Sequence, residues 1–223
     1  MKRFFDIFFS LIIILFLLPL GLIIILILKT TGEREVFYTQ QRVGKNNIDF
    51  GFFKFVTMLK DSPNIGSKDI TLKEDPRVLP IGRFLRKTKI NEFPQFINVF
   101  LGDMSIVGPR PLVRNQYIMI PEKFKLKINL IKPGITGIGS IIFRDEEKYL
   151  DKDEKKALKF YKEEIVPFKA ELECWYYDNK SMLIDMLIIC ITCIYIFLPK
   201  SNIHNYFFTN LPKHPLFNPL IIN

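Results

Sequence analysis

Ile7 to Leu28 reads IFFSLIIILFLLPLGLIIILIL, a run of 22 residues without a charge. A helix that enters a bilayer needs about 20 predominantly apolar residues, and this run is long enough. It is too long for the apolar part of a secretion signal, and no small-x-small cleavage site follows it. Lys2 and Arg3 precede the run, and Lys29 and Arg34 follow it. Positive charge prefers the cytoplasm, so both ends ask for the same side of the membrane. Pro19 stands near the middle, with Gly21 close behind. Proline removes one helical hydrogen bond and clashes with the preceding turn, which favours a kink. Two readings fit: a re-entrant helix that bends at Pro19 and returns to its own side, or a kinked helix that spans.

The rest of the chain is not a membrane bundle. Charged residues make up 25% of the 223 positions, leaving room for a body with its own core. The formal charge of +9 suits a polyanionic partner such as nucleic acid, anionic lipid or a phosphorylated small molecule. A positive-inside membrane protein rich in Ile, Lys, Asn and Phe would carry the same charge. No aromatic-basic interleaving or base-reading motif supports nucleic acid as the partner. A P-loop, a dinucleotide-binding glycine fingerprint and a nucleophile elbow are all missing from the sequence. Cys174, Cys190 and Cys193 are too few and too odd in number for a disulfide framework. The last two lie in an apolar run and read as buried structural cysteines. His204 and His214 stand ten apart in a Pro-rich tail, a spacing that fits no usual metal site.

Met182 to Leu198 is apolar around Asp185. A charge at the centre of a bilayer helix costs roughly 3 kcal/mol, so this run is expected to be a core or interfacial helix. Glu33 to Phe55 reads as short extended pieces with a turn at Gly44–Asn47. Lys60 to Asp75 reads as a polar loop. Phe93, Phe96, Ile97, Phe100 and Leu101 fall at helical spacing and give one apolar face. Asn91 is then a candidate N-cap with Pro94 in the first turn, which puts Asn91 and Glu92 at a helix N-terminus where phosphate binds well. Arg83, Arg86, Lys87 and Lys89 crowd just upstream, as a solvated basic face or as a diphosphate or lipid-phosphate site. Gly108-Pro109-Arg110-Pro111 is a stiff loop around one arginine, suited to clamping a phosphate or simply to turning the chain. Lys132–Gly137 is a second rigid turn. It leads to Ile141-Ile142-Phe143, read as extended, and then to Arg144.

These motifs stand in a familiar order. Lys54–Met58, Asp75-Pro76-Arg77-Val78, Gly82–Arg86, Asn91–Val99, Gly102–Pro111 and Lys132–Gly137 together resemble the bacterial sugar transferase family over roughly residues 1 to 195. These are the monotopic phosphoglycosyl transferases that prime exopolysaccharide and O-antigen synthesis.

The resemblance implies an α+β, mostly helical fold: a re-entrant membrane helix (1–30) bent at Pro19, a small cytosolic catalytic domain (31–198), and a Pro-rich tail (199–223) left without a role. It implies the bacterial inner membrane, with the body on the cytoplasmic face. It implies magnesium, a UDP-sugar donor, a polyprenyl (undecaprenyl) phosphate acceptor and contact with membrane lipid. A homodimer is one possible arrangement, since the sequence does not give the oligomeric state. In the family an Asp-Glu pair opens the helix. The Asp attacks the donor phosphate next to the sugar, releases UMP and holds the phosphosugar covalently, while the Glu helps bind magnesium. Glu92 matches that Glu, Arg110 and Arg144 match phosphate-holding arginines, and Lys54 matches a basic residue near the site; Arg86, from the basic cluster, is a further candidate for binding phosphate or substrate. The position of the nucleophile holds Asn91. Its amide is uncharged and its lone pair is delocalised, which leaves three options: attack by Glu92, direct attack by the lipid phosphate, or a catalytically impaired member that binds nucleotide-sugar or lipid phosphate as a regulator or scaffold.

Overall fold

The computed structural model describes residues 1–62, 75–144, 146–149, 153–198, 202–208 and 210–217. Most of the polar loop read at 60–75 lies outside these residues. Among these residues the fold is mostly helical, with two two-stranded sheets. The chain divides into two compact units.

The first unit holds 3–40 and 51–102. Its longest element is α1 (Lys2–Thr30), the one helix among the described residues long and apolar enough to cross a membrane. Only Asp6, Ser10, Ile24 and Leu28 are buried along it. Ile24 and Leu28 join a core with Val36, Phe55 and Leu85, against which Ile81, Ile90 and Phe93 pack. At the other end, the Arg3 guanidinium donates to the carbonyls of Val99 (2.6 Å) and Phe100 (2.7 Å). Two strands, β1 (Phe37–Val43) and β2 (Asp49–Phe55), form a hairpin over the turn at Lys45–Asn47. Then come α2 (Pro80–Lys87) and α3 (Gln95–Leu101). The motif Asp75–Val78 is a clasp. Arg77 and Asp75 form a buried ion pair at 2.6 Å, and Arg77 also donates to the Ser62 carbonyl at 2.8 Å.

The second unit holds Lys2, 41–50 and the chain from 103 onward. A parallel pair, β3 (Ser105–Val107) and β4 (Gly134–Thr136), is in register at Ser105–Gly134 and Val107–Thr136. Around it stand α4 (Arg114–Ile118), α5 (Glu122–Ile128), α6 (Ile138–Ile142), α7 (Glu154–Phe160), α8 (Val166–Asn179), α9 (Met182–Phe197) and the short α10 (His204–Phe207). A π-turn at Tyr161–Ile165 joins α7 to α8 just before Pro167, which has no N–H to continue the regular ladder. Val43, Tyr117, Ile120, Val166 and Ala170 form one core cluster, while Phe208, Leu211 and Phe217 of the tail are buried as well.

Three sequence expectations change here. Ile141 and Ile142 are helical, because Ile141 N–H and Phe143 N–H donate back four residues to Gly137 and Gly139. Three apolar residues in a row do not distinguish a strand from a turn of helix. Cys190 and Cys193 are exposed, and only Cys174 is buried. They lie on the outward face of α9 with Leu183, Met186 and Ile196, while Ile188, Ile191 and Tyr195 face inward. Asp185 is buried on the inward side, paired with Lys2 at 2.5 Å and accepting from the Tyr176 hydroxyl at 2.5 Å. The third change concerns the environment of Asn91.

Candidate active site

In the first unit, Lys89 adopts a left-handed conformation (φ 60°) and opens a 3₁₀ turn over Ile90–Glu92. Glu92, Phe93, Phe96 and Ile97 each donate to the carbonyl three residues back. Pro94 cannot donate, so the regular α-helix begins only at Gln95. Asn91 is therefore not an N-cap but lies inside the tight turn. At seven residues, α3 contributes little dipole to an anion.

The faces of this segment are also inverted from the usual arrangement. Asn91, Pro94, Gln95, Asn98 and Val99 are buried, whereas Ile97, Phe100 and Leu101 are exposed. Periodicity finds the stripe but does not say which stripe is wet. Asn98 explains part of the inward polarity. Its Oδ1 accepts from Phe53 N–H (3.0 Å) and its Nδ2 donates to Gly51 C=O (2.7 Å), fixing β2 to α3. Lys54 lies on the same strand, with its ammonium over the Phe52 ring at 5.0 Å.

Asn91 Oδ1 and Gln95 Nε2 are both buried without a hydrogen-bond partner. They are an acceptor and a donor four residues apart, on one face. An unmet buried polar group costs roughly 1–3 kcal/mol, and such a cost is normally confined to functional positions. Arg86 is half-buried beside them in the chain. Burial pulls its guanidinium down from its usual range, and the charges of Asp75 and Glu92 work against that pull. Arg86 and Glu92 are thus electrostatic neighbours. Gln95 was not singled out from sequence, although its i, i+4 spacing from Asn91 was the available signal.

Among the described residues no three His, Cys, Asp or Glu side chains group as a metal cage. Magnesium does not need one, since it is commonly held by one or two carboxylates together with substrate phosphates and water. Glu92 beside the unpartnered Asn91 oxygen fits that donor set.

In the second unit, Arg110 is exposed at the tip of a loop built on β3 and β4. Gly108 N–H donates to Thr136 C=O (2.9 Å), and Gly134 N–H donates to Pro109 C=O (2.8 Å). A Cβ on Gly108, Gly134 or Gly137 would run into the facing backbone. The two rigid turns read from sequence are thus one backbone-on-backbone mount. Arg42 braces it by donating to Pro111 C=O at 3.1 Å. Burial pushes the Tyr161 hydroxyl up to about 12, with Glu146 adding to the shift and Arg110 and Arg42 opposing it. Burial also lowers the Lys169 ammonium, against Glu146 at 2.5 Å, while Arg110 lowers it further. Glu173 is buried and pushed up to about 8 by that burial, so it is largely uncharged near neutral pH. Arg42 and Arg110 both act on Tyr161, and Arg110 also acts on Lys169, which pairs with Glu146, a surplus of positive charge that suits a phosphate. No sequence pattern had marked Lys169 or Glu173.

Arg144 is exposed in the same unit. Its guanidinium lies over the Tyr195 ring at 4.8 Å and donates to the Tyr195 carbonyl at 3.4 Å.

Residues 1–199 match the protein family described as bacterial sugar transferase. An uncharacterized sugar transferase, EpsL of Bacillus subtilis (strain 168), is 32% identical over 192 residues, covering 86% of this chain and 85% of that protein. The UDP-glucose:undecaprenyl-phosphate glucose-1-phosphate transferase of Klebsiella pneumoniae is 33% identical, covering 90% of this chain. The undecaprenyl-phosphate galactose phosphotransferase of Salmonella typhimurium is 35% identical, covering 67%. The chain spans 41% and 34% of the lengths of these last two relatives.

Proposed function

Because the chain belongs to the bacterial sugar transferase family, we propose that it moves a phosphosugar from a UDP-sugar to undecaprenyl phosphate and releases UMP, priming a cell-surface glycan. The observation that carries this reading is the family match over residues 1–199, which includes the buried Asn91–Gln95 face beside Glu92 and Arg86. Glu92, with the Asn91 amide oxygen, would hold magnesium. Bound there, the ion would neutralise charge on the donor diphosphate. Lys54 and Arg86 would add positive charge within the same unit; in the second unit, Arg110 and Arg144 would each bind phosphate.

The test is UMP release by purified protein from a panel of UDP-sugars, with and without undecaprenyl phosphate. One donor should give UMP that depends on the lipid. Arg110→Lys should lower that turnover about tenfold or more, because a lost charge-assisted hydrogen bond is worth roughly 1.5–3 kcal/mol and lysine lacks the planar fork. Full turnover in Arg110→Lys would remove Arg110 from the phosphate site. A second reading, a family member that binds donor or lipid with little turnover, is favoured by Asn91 standing where the family has its nucleophile. Saturable donor binding with no UMP from any donor would establish it.

The membrane placement we propose rests on α1. Its two ends meet the same unit, Arg3 at Val99 and Phe100, and Ile24 and Leu28 in the core that Phe93 joins. A straight helix from Arg3 to Leu28 would separate its ends by about 38 Å, while Phe93 and Phe100 lie about 10 Å apart along their helical segment. This supports a re-entrant α1 bent at Pro19; with basic residues at both flanks, it would lie in the cytoplasmic leaflet of the inner membrane with the body on that face. Cysteines placed at Lys29 and Arg34, and at the exposed Phe4, should be labelled from the same side of oriented vesicles. Labelling from opposite sides would establish a span instead.

A further inference from the structure

The tail beyond residue 199 is not covered by the family match, yet it grips both flanks of Arg144. On one flank, the Phe217 ring lies 4.9 Å from Phe143, the residue before Arg144, and 4.9 Å from Tyr149. On the other, the Tyr195 hydroxyl and His204 Nδ1 are 2.5 Å apart, and His204 N–H donates to the same hydroxyl at 3.2 Å. Tyr195 and His204 are 5% and 8% exposed, so water competes little for these bonds. Tyr195 in turn carries the Arg144 guanidinium on its ring and its carbonyl. The tail is anchored independently by buried Phe208 and Leu211, with Phe208 edge-on to Trp175 at 5.7 Å.

We propose that residues 202–208 and 210–217 form a strap that sets the orientation of Arg144 for phosphate, with His204 as a positioning residue acting through Tyr195. This rests on the reading of Arg144 as a phosphate-holding residue. The chemistry of the link is defined. The Tyr195 oxygen accepts from the His204 backbone, so its own proton goes to Nδ1, and the ring proton stays on Nε2. Burial, with the charges of Lys213 and Arg144, pushes His204 down to about 4, which keeps Nδ1 a lone-pair acceptor at neutral pH. A tyrosine locked at both its hydroxyl and its buried ring gives Arg144 a fixed platform, and a pre-set guanidinium loses less freedom when it closes on a phosphate.

The test is equilibrium binding in the full chain, which does not depend on turnover. UDP serves as the donor-side probe and undecaprenyl phosphate in detergent micelles as the lipid-side probe. Arg144→Ala should weaken one of the two, and that arm identifies which phosphate it holds. His204→Ala and Tyr195→Phe should weaken the same arm by on the order of tenfold, the scale of one mis-set charged contact. His204→Asn, whose side-chain oxygen can stand in for Nδ1, should recover most of the loss. In the Arg144→Ala background, His204→Ala should add nothing. That last result separates positioning from mere stability, since a purely structural loss would be additive. Weakened binding in Arg144→Ala with unchanged binding in both His204→Ala and Tyr195→Phe would overturn the strap while leaving the phosphate reading intact. Additive losses in the double variant would overturn it too. Unchanged binding of both probes in Arg144→Ala would overturn the phosphate reading and the strap together.

Discussion

Asn91→Asp is expected to raise UMP release by ~100-fold or more, well inside the range spanned when a nucleophile is removed from or returned to a covalent enzyme. The introduced carboxylate supplies the electron pair that an amide lacks. Its oxygen would bond to the donor phosphorus next to the sugar. The bond to the UMP phosphate would break, with its electron pair leaving on UMP, and an oxygen of the lipid phosphate would then displace the carboxylate. Position 91 is 7% exposed. Burial raises a carboxyl group's pKa, and only the ionised form attacks, so the gain should grow as pH rises through that raised value. Mass spectrometry should find the phosphosugar on residue 91 in this variant. Glu92→Gln in the same background should slow turnover without moving the adduct, because Glu92 beside Arg86 is a charged neighbour better suited to metal than to attack. No gain from Asn91→Asp, with an adduct on Glu92 in the unaltered chain, would make Glu92 the nucleophile. Family-like turnover with an adduct on neither residue would point to direct attack by the lipid phosphate.

The second large effect is structural. Gly134→Ala should destabilise the second unit by ~3 kcal/mol or more, since overpacking costs about 1–3 kcal/mol even where side chains can yield. Here the new methyl would meet the Gly108 backbone, with the Thr136 carbonyl close on another side. The same collision would displace Pro109, whose carbonyl accepts from Gly134 N–H, and with it Arg110. A melting temperature lower by roughly 6–12 °C is expected for a chain of this size, together with loss of phosphate binding. Gly21→Ala is the control, because a Cβ there meets nothing within 4 Å. An unchanged melting temperature for Gly134→Ala would mean that the mount is looser than described.

These two cases mark what the sequence discloses. The uncharged run at 7–28 and the helical spacing from Phe93 onward were readable, because length and period are properties of the chain itself. The facing of α3 was not. Asn98 and Gln95 turn inward because β2 offers backbone groups to Asn98, and a partner brought in from 51–53 leaves no mark near residue 98. The exposure of Cys190 and Cys193 was missed for a related reason: an apolar stripe looks the same facing a core or facing outward. Gly108–Pro111 was read as a phosphate clamp or a turn and Lys132–Gly137 as a second rigid turn, while what ties the two together, the close backbone packing of their glycines, left no sign in either motif. The rigid loop that carries Arg110 was legible because two prolines bracket it. Lys169, which feels Arg110, and Glu173, which feels Lys169, were not, since they sit in an ordinary-looking helix about sixty residues further along.

The burial of Ile24 and Leu28 with Phe55 and Leu85 makes α1 part of the fold as well as a helix long and apolar enough to cross a membrane. Two fully buried aliphatic side chains are worth about 3–6 kcal/mol together, against a total stability of about 5–15 kcal/mol for a typical domain. With α1 in a bilayer, as proposed, leaving the membrane and losing the native state would be linked equilibria. The lipid would then behave as a ligand of the folded form, so that surfactant choice, acyl-chain length and membrane thickness should act on folding stability as well as on location.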